Sequence, residues 1–186
     1  MGVFGALGVE RAHVPPDFST RHYLTFTFPY SHGLVVLIGW GLLFGAIFCW
    51  VDRQDRVRAL WVLAALVFSH FILDGLVHVP ELPVLGQNSP KVGLALWNHM
   101  SLELTLETVM AVAGLLMYWK LDGGTRLSRW GMAVLMVLLT ALTWTPLFST
   151  TAPTQSQLVP TWIIAPIVFS GIPYWLDRRR VAARTA

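Results

Sequence analysis

The sequence predicts an all-α integral membrane bundle of about five transmembrane helices, on three observations. Of 186 residues, 55% are hydrophobic and only 12% are charged, roughly half the charged share of a soluble domain. Five apolar stretches each approach the ~20 residues needed to cross a hydrocarbon core. The basic residues gather between those stretches: ten of thirteen lie in the first charged loop, the 120–129 turn and the C-terminal run.

Taken in order, the chain reads as one membrane domain over 1–186. Residues 1–9 resemble the tail end of a helix and lack the basic start and cleavage site of a signal peptide. The segment up to residue 29 is polar and broken by Pro15 and Pro16, which places it outside the bilayer or along its surface. The first span is expected over about 31–51, ending at a loop with Arg53, Asp55, Arg56 and Arg58. A second covers 58–79 and is stopped by Pro80 and Pro83. The third runs over about 92–119 and ends in a Gly123-Gly124 turn. A fourth covers 127–148. The fifth, 158–175, holds Pro166 and Pro173, which should kink or shorten it. Arg11, Arg21 and Lys91 are the only basic residues on the other side of this five-span layout. The positive-inside rule therefore predicts N-terminus out and C-terminus in, as a multi-pass protein of a bacterial inner membrane. Because the basic residues flank spans, they are topology signals and not a nucleic-acid surface; the expected partner is the lipid bilayer. The single cysteine, Cys49, leaves no intramolecular disulfide and reads as a small buried hydrophobe.

The chemistry is concentrated in Ser69-His70-Phe71-Ile72-Leu73-Asp74-Gly75-Leu76-Val77-His78. Spacing of four residues sets His70, Asp74 and His78 on one helical face. A second series, His99, Glu103 and Glu107, follows on the next span, and His32 opens the first. In the predicted topology all of these fall at or outside the midplane. An ionised carboxylate at depth costs about 2.5–3.5 kcal/mol on the insertion scale. Apart from Arg58 and Arg129 at span ends, no Lys or Arg lies within the spans to pair with Asp74, Glu103 or Glu107. A divalent metal resolves that imbalance, since His and carboxylate side chains at helical spacing suit zinc foremost, or manganese or iron. Three rungs spread over about 12 Å along a helix, so the whole series cannot hold one ion. Hairpin bookkeeping brings His70, Asp74, His99 and Glu103 closest in height, with His32 and His78 as an outer rim and Glu107 a turn deeper. Glu81, His13 and His22 read as solvated, and Trp97 and Trp144 as interfacial anchors.

Two of these motifs, Tyr30-Ser31-His32-Gly33-Leu34 and Ser69-His70 through Asp74, resemble the YdjM-like membrane-bound metal-dependent hydrolases of bacteria. The chain is similar still to a group of bacterial inner-membrane proteins with Ser-His-x3-Asp-x3-His-x-Pro-(Asp/Glu)-Leu-Pro, which here runs to His78-Val79-Pro80-Glu81-Leu82-Pro83. Their Gly-Leu-x-Leu-Trp-Asn stretch is matched at Gly93-Leu94-Ala95-Leu96-Trp97-Asn98, and a Glu ten residues after the Trp is Glu107. The resemblance covers most of residues 8–119. It departs in two ways: the family's first helix, with a Gly-His pair and a later Asp, is missing, and His99 and Glu103 have no counterpart. The resemblance favours Glu107 where helix geometry favours Glu103.

Together these readings imply a membrane-bound metal-dependent hydrolase. His32, His70, Asp74 and His78 are its expected ligands, and Glu107 or Glu103 its general base. The expected substrate is an ester or phosphoester of a lipid or another amphiphile. The alternative is a transporter that uses the same groups as a proton or cation path; against it, no comparable polar set continues inward. A di-iron oxidoreductase is a third reading, but it lacks the Glu-x2-His spacing.

Overall fold

The computed structural model describes residues 1–51, 56–122 and 125–185. Arg53 and Asp55 of the first charged loop, and the Gly123-Gly124 turn, lie outside the described residues. The chain is an all-α bundle. Four helices are long and apolar enough to cross a membrane, at Arg56–Val77, Leu96–Lys120, Arg126–Phe148 and Gln155–Leu176, and a shorter apolar one covers Leu34–Trp50. Two compact units divide it, Met1–Asn98 and His99–Ala186.

The first unit contains α1 (Gly2–Ala6), β1 (Arg11–His13), α2 (Phe18–Arg21), β2 (Thr25–Thr27), α3 (Leu34–Val51), α4 (Arg56–Val77), β3 (Leu82–Pro83) and β4 (Lys91–Val92). The helices α3 and α4 pack closely because small residues meet at their contact. A Cβ on Gly41 would sit 3.1 Å from the Ala64 Cα, and one on Gly45 would press on Leu60. Small residues four apart allow such close backbone approach between helices. Cys49, near the foot of this pair, is partly buried, and its Sγ donates to the Arg56 carbonyl at 3.0 Å.

Over the far end of the α3–α4 pair the polar segments build a small cap with two antiparallel ladders, which the sequence reading did not anticipate. β1 pairs with β2 in the register Arg11↔Thr27, Ala12↔Phe26, His13↔Thr25. β3 pairs with β4 through Leu82↔Val92 and Pro83↔Lys91. His13, expected to be solvated, is exposed but bonds Thr27 Oγ1 through Nε2 at 2.9 Å. The core of the cap is Phe18, Tyr23, Phe28 and Leu82. Its edges are tied down by polar contacts. The Arg21 guanidinium donates to Asp17, to Tyr23 Oη at 2.7 Å and to Asn98 Oδ1 at 3.0 Å.

The predicted third span therefore starts late. Residues 91–92 are a strand, and residues 93–95 turn back to bond the end of α4: Leu94 N–H donates to Gly75 O and Ala95 N–H to His78 O, both at 2.8 Å. These bonds satisfy carbonyls that a helix end leaves open. A 3-10 turn, Leu96–His99, follows them.

In the second unit, α5 (Met100–Asp122), α6 (Arg126–Trp144) and α7 (Gln155–Thr185) follow one another, with a 3-10 turn at Thr145–Phe148. Two indoles fix α5 and α6 as antiparallel. Trp119 Nε1 donates to Arg129 O at 3.3 Å, and Trp144 Nε1 to Thr108 Oγ1 at 3.0 Å. Trp144 thus has a helix partner in place of the purely interfacial role expected of it. Thr125 caps α6 by accepting from Ser128 N–H at 3.1 Å. Leu176 of α7 lies against Gly131 of α6. α7 carries Pro160, Pro166 and Pro173 inside one continuous helix, so the prolines do not end it near residue 175.

Candidate metal centre

Two of the candidate ligands are placed by α4 alone. His70 and Asp74 stand one turn apart, with His70 Nε2 3.3 Å from Asp74 Oδ2. The third comes from the loop before α3. His32 brings its Nε2 to 3.8 Å from the same oxygen, and its ring centroid lies 5.2 Å from that of His70. One ligand atom from each of His32, His70 and Asp74 lies within 4.8 Å of the others. Tetrahedral zinc with bonds of about 2.0–2.1 Å holds its ligands about 3.3 Å apart, so modest side-chain closure would complete the set.

The decisive atom is Asp74 Oδ2. It is buried and accepts no hydrogen bond from any described residue. Native proteins rarely leave a buried carboxylate oxygen in that state, because its desolvation goes uncompensated. Here two imidazole nitrogens flank it at ion-pair distance without forming a hydrogen bond. A cation among the three groups would satisfy all of them. The cluster can coordinate a metal ion.

His32 is held by the cap. Its loop is anchored by Glu10, which is fully buried. Glu10 Oε1 accepts from Tyr30 N–H at 2.9 Å and Ser31 N–H at 2.8 Å, and Oε2 accepts from the Ser31 hydroxyl at 2.7 Å. Ser31 Oγ also lies 2.6 Å from His32 Nδ1. On its other side the His32 ring rests on Phe28, centroids 4.6 Å apart, and Trp40 Nε1 fastens the loop through Tyr30 O at 2.9 Å. Val35 N–H reaches Val84 O at 3.1 Å, joining the start of α3 to the second hairpin. His70, by contrast, has a half-exposed side chain, which leaves one side of the cluster open.

His78, a predicted ligand, lies one turn beyond Asp74 and is engaged elsewhere. Its Nδ1 donates to Glu81 Oε1 at 2.6 Å, and Glu81 Oε2 accepts from Phe26 N–H at 2.6 Å. The imidazole is buried between Phe26, Phe28 and Trp97, the last with ring centroids 4.0 Å apart. Glu81 is therefore a buried partner and not the solvated acid the sequence suggested, because the cap closes over it. Trp97 likewise packs on His78 instead of serving only as an interfacial anchor. Glu103 and Glu107 belong to the second unit, one turn apart along α5. His99 closes the 3-10 turn before them.

Sequence reasoning overlooked Glu10 and Ser31. Ser31 was visible as the neighbour of His32 in the quoted motif, whereas Glu10 carried no signal: an acid in a polar segment looks solvated until the fold encloses it. Compared with models of known protein families, with curated proteins and with solved structures, the chain matches none.

Proposed function

We propose that this protein is a membrane-bound metal-dependent hydrolase whose ion is held by His32, His70 and Asp74. The observation that carries the reading is the buried Asp74 Oδ2, without a hydrogen-bond donor among the described residues and flanked by the Nε2 atoms of His70 at 3.3 Å and His32 at 3.8 Å. Two histidines and one carboxylate are a catalytic set, because three protein ligands leave a coordination position for water or substrate. Zinc suits that set best, with iron or manganese as the other ions it accepts. When bound, such an ion supplies Lewis-acid activation of water near neutral pH. The half-exposed His70 marks the side from which water and substrate approach.

Two further elements of the proposal rest on the sequence. The charge distribution supports N-terminus out and C-terminus in, with the cluster toward the outer leaflet of a bacterial inner membrane. The resemblance to YdjM-like hydrolases supports hydrolysis of an ester or phosphoester, and the location supports a lipid or other amphiphile as its carrier.

The test is elemental analysis of the protein purified in detergent and reconstituted with zinc, beside His70→Ala and Asp74→Ala. One ion per chain is expected in the wild type, none in the variants, together with zinc-dependent phosphoesterase activity on micellar substrates. Glu103→Gln and Glu107→Gln then ask which carboxylate, if either, limits the rate. A wild type that holds no stoichiometric metal after reconstitution refutes the proposal. Metal-dependent ion flux in proteoliposomes without hydrolysis replaces it with a transporter.

A further inference from the structure

We infer that Glu10 and Ser31 are positioning residues of this centre, and that together they set which nitrogen of His32 faces the ion. The inference rests on the metal-binding reading above, and counting protons yields it. An ionised carboxylate only accepts hydrogen bonds, and a serine hydroxyl has one proton to give. Ser31 gives that proton to Glu10 Oε2 at 2.7 Å. Its oxygen, 2.6 Å from His32 Nδ1, can then only accept there, so Nδ1 carries the proton. The lone pair of the neutral ring is left on Nε2, the atom turned toward Asp74 Oδ2 and His70. A neutral imidazole with its second nitrogen donating to an oxygen is the form that binds metals, and the partner of that second nitrogen fixes the tautomer and orientation.

With the proton on Nδ1, His32 Nε2, 3.8 Å from Asp74 Oδ2, has no proton to offer it. The opposite tautomer would aim an N–H at Asp74 and relieve it. Glu10 blocks that relief from a distance. Its other oxygen holds the main chain of Tyr30 and Ser31, so one carboxylate both shapes the loop and orders its protons.

Glu10→Gln separates these roles. The amide oxygen keeps the two main-chain bonds, but its NH2 faces Ser31 Oγ as a donor. The hydroxyl then turns to His32 Nδ1, and the ring proton moves to Nε2. Ser31→Ala removes the relay while leaving Glu10 on the main chain, and Ser31→Thr preserves it. Zinc affinity is measured by competition with a chelator, and 15N NMR of histidine-labelled metal-free protein reads the tautomer of His32. We expect Glu10→Gln and Ser31→Ala to weaken zinc about 10- to 100-fold, Ser31→Thr to bind like wild type, and Glu10→Gln to show the proton on Nε2. Wild-type affinity in both weakened variants, or an unchanged His32 tautomer in Glu10→Gln, overturns the inference. If Glu10→Gln does not fold, Ser31→Ala decides the affinity arm by itself. A wild type that binds no zinc sinks the metal centre, yet the NMR comparison still decides the relay.

Discussion

His78 donates from Nδ1 to Glu81 Oε1 across 2.6 Å, three residues apart at the point where α4 ends and the cap begins. The pair is buried, and the second oxygen of Glu81 holds Phe26 N–H of the opposite hairpin. One carboxylate thus joins the helix end to β2. Glu81→Ala would remove the acceptor of a buried imidazole and the carboxylate partner of the Phe26 amide. We predict a loss of about 2–4 kcal/mol, with Glu81→Gln less severe because it keeps an acceptor. Denaturant unfolding in mixed micelles measures it, and an alanine variant within about 0.5 kcal/mol of wild type contradicts the assignment.

Asp74 should show the opposite sign. Its Oδ2 is buried without a donor among the described residues, so the metal-free protein carries a desolvation cost that an ion relieves. Asp74→Asn adds an NH2 that can donate to an imidazole nitrogen and removes the charge. In the presence of chelator, Asp74→Asn is expected to be more stable than wild type by about 1 kcal/mol, while losing zinc binding. A variant that is less stable under those conditions would show that the carboxylate is already satisfied.

Zinc itself should stabilise the wild type. A ligand that binds only the folded state at 100 times its dissociation constant adds about 2.7 kcal/mol. The unfolding midpoint should rise with zinc, fall back with chelator, and not move in Asp74→Ala.

Gly93 tests the connection that shortens the third span. Its φ is +157°, and a Cβ there would run into the main chain of His78 and Val79. Gly93→Ala should cost about 2 kcal/mol or more. It should also speed hydrogen exchange at the Leu94 and Ala95 amides, which bond Gly75 and His78. Unchanged exchange at these amides would mean the segment is not held as described.

Much of this protein was legible in its sequence because the relevant forces are local. Hydrophobicity and length identify the apolar helices of the bundle, since they depend only on a run of some twenty residues. The four-residue step from His70 to Asp74 becomes a cluster edge through helix geometry alone. Where interactions crossed between segments, the reading faltered. Residues 92–95 are apolar enough to extend a span, yet hydrogen bonds to α4 and β3 draw them into the cap instead. Glu81, read as solvated, bonds His78 three residues before it and is enclosed by Phe26 from another part of the chain.

The sequence by itself thus determined the long apolar helices and the pairing of His70 with Asp74, as both follow from periodicity and composition along one segment. Only the tertiary structure decided that His32 completes the cluster, that His78 turns to Glu81, and that Glu10 stands behind His32. Each of those choices depends on which groups meet when the cap folds over the α3–α4 pair. Hydrogen bonds between residues twenty or more apart leave no periodic trace in the chain, and burial turns an ordinary acid into a fixed acceptor.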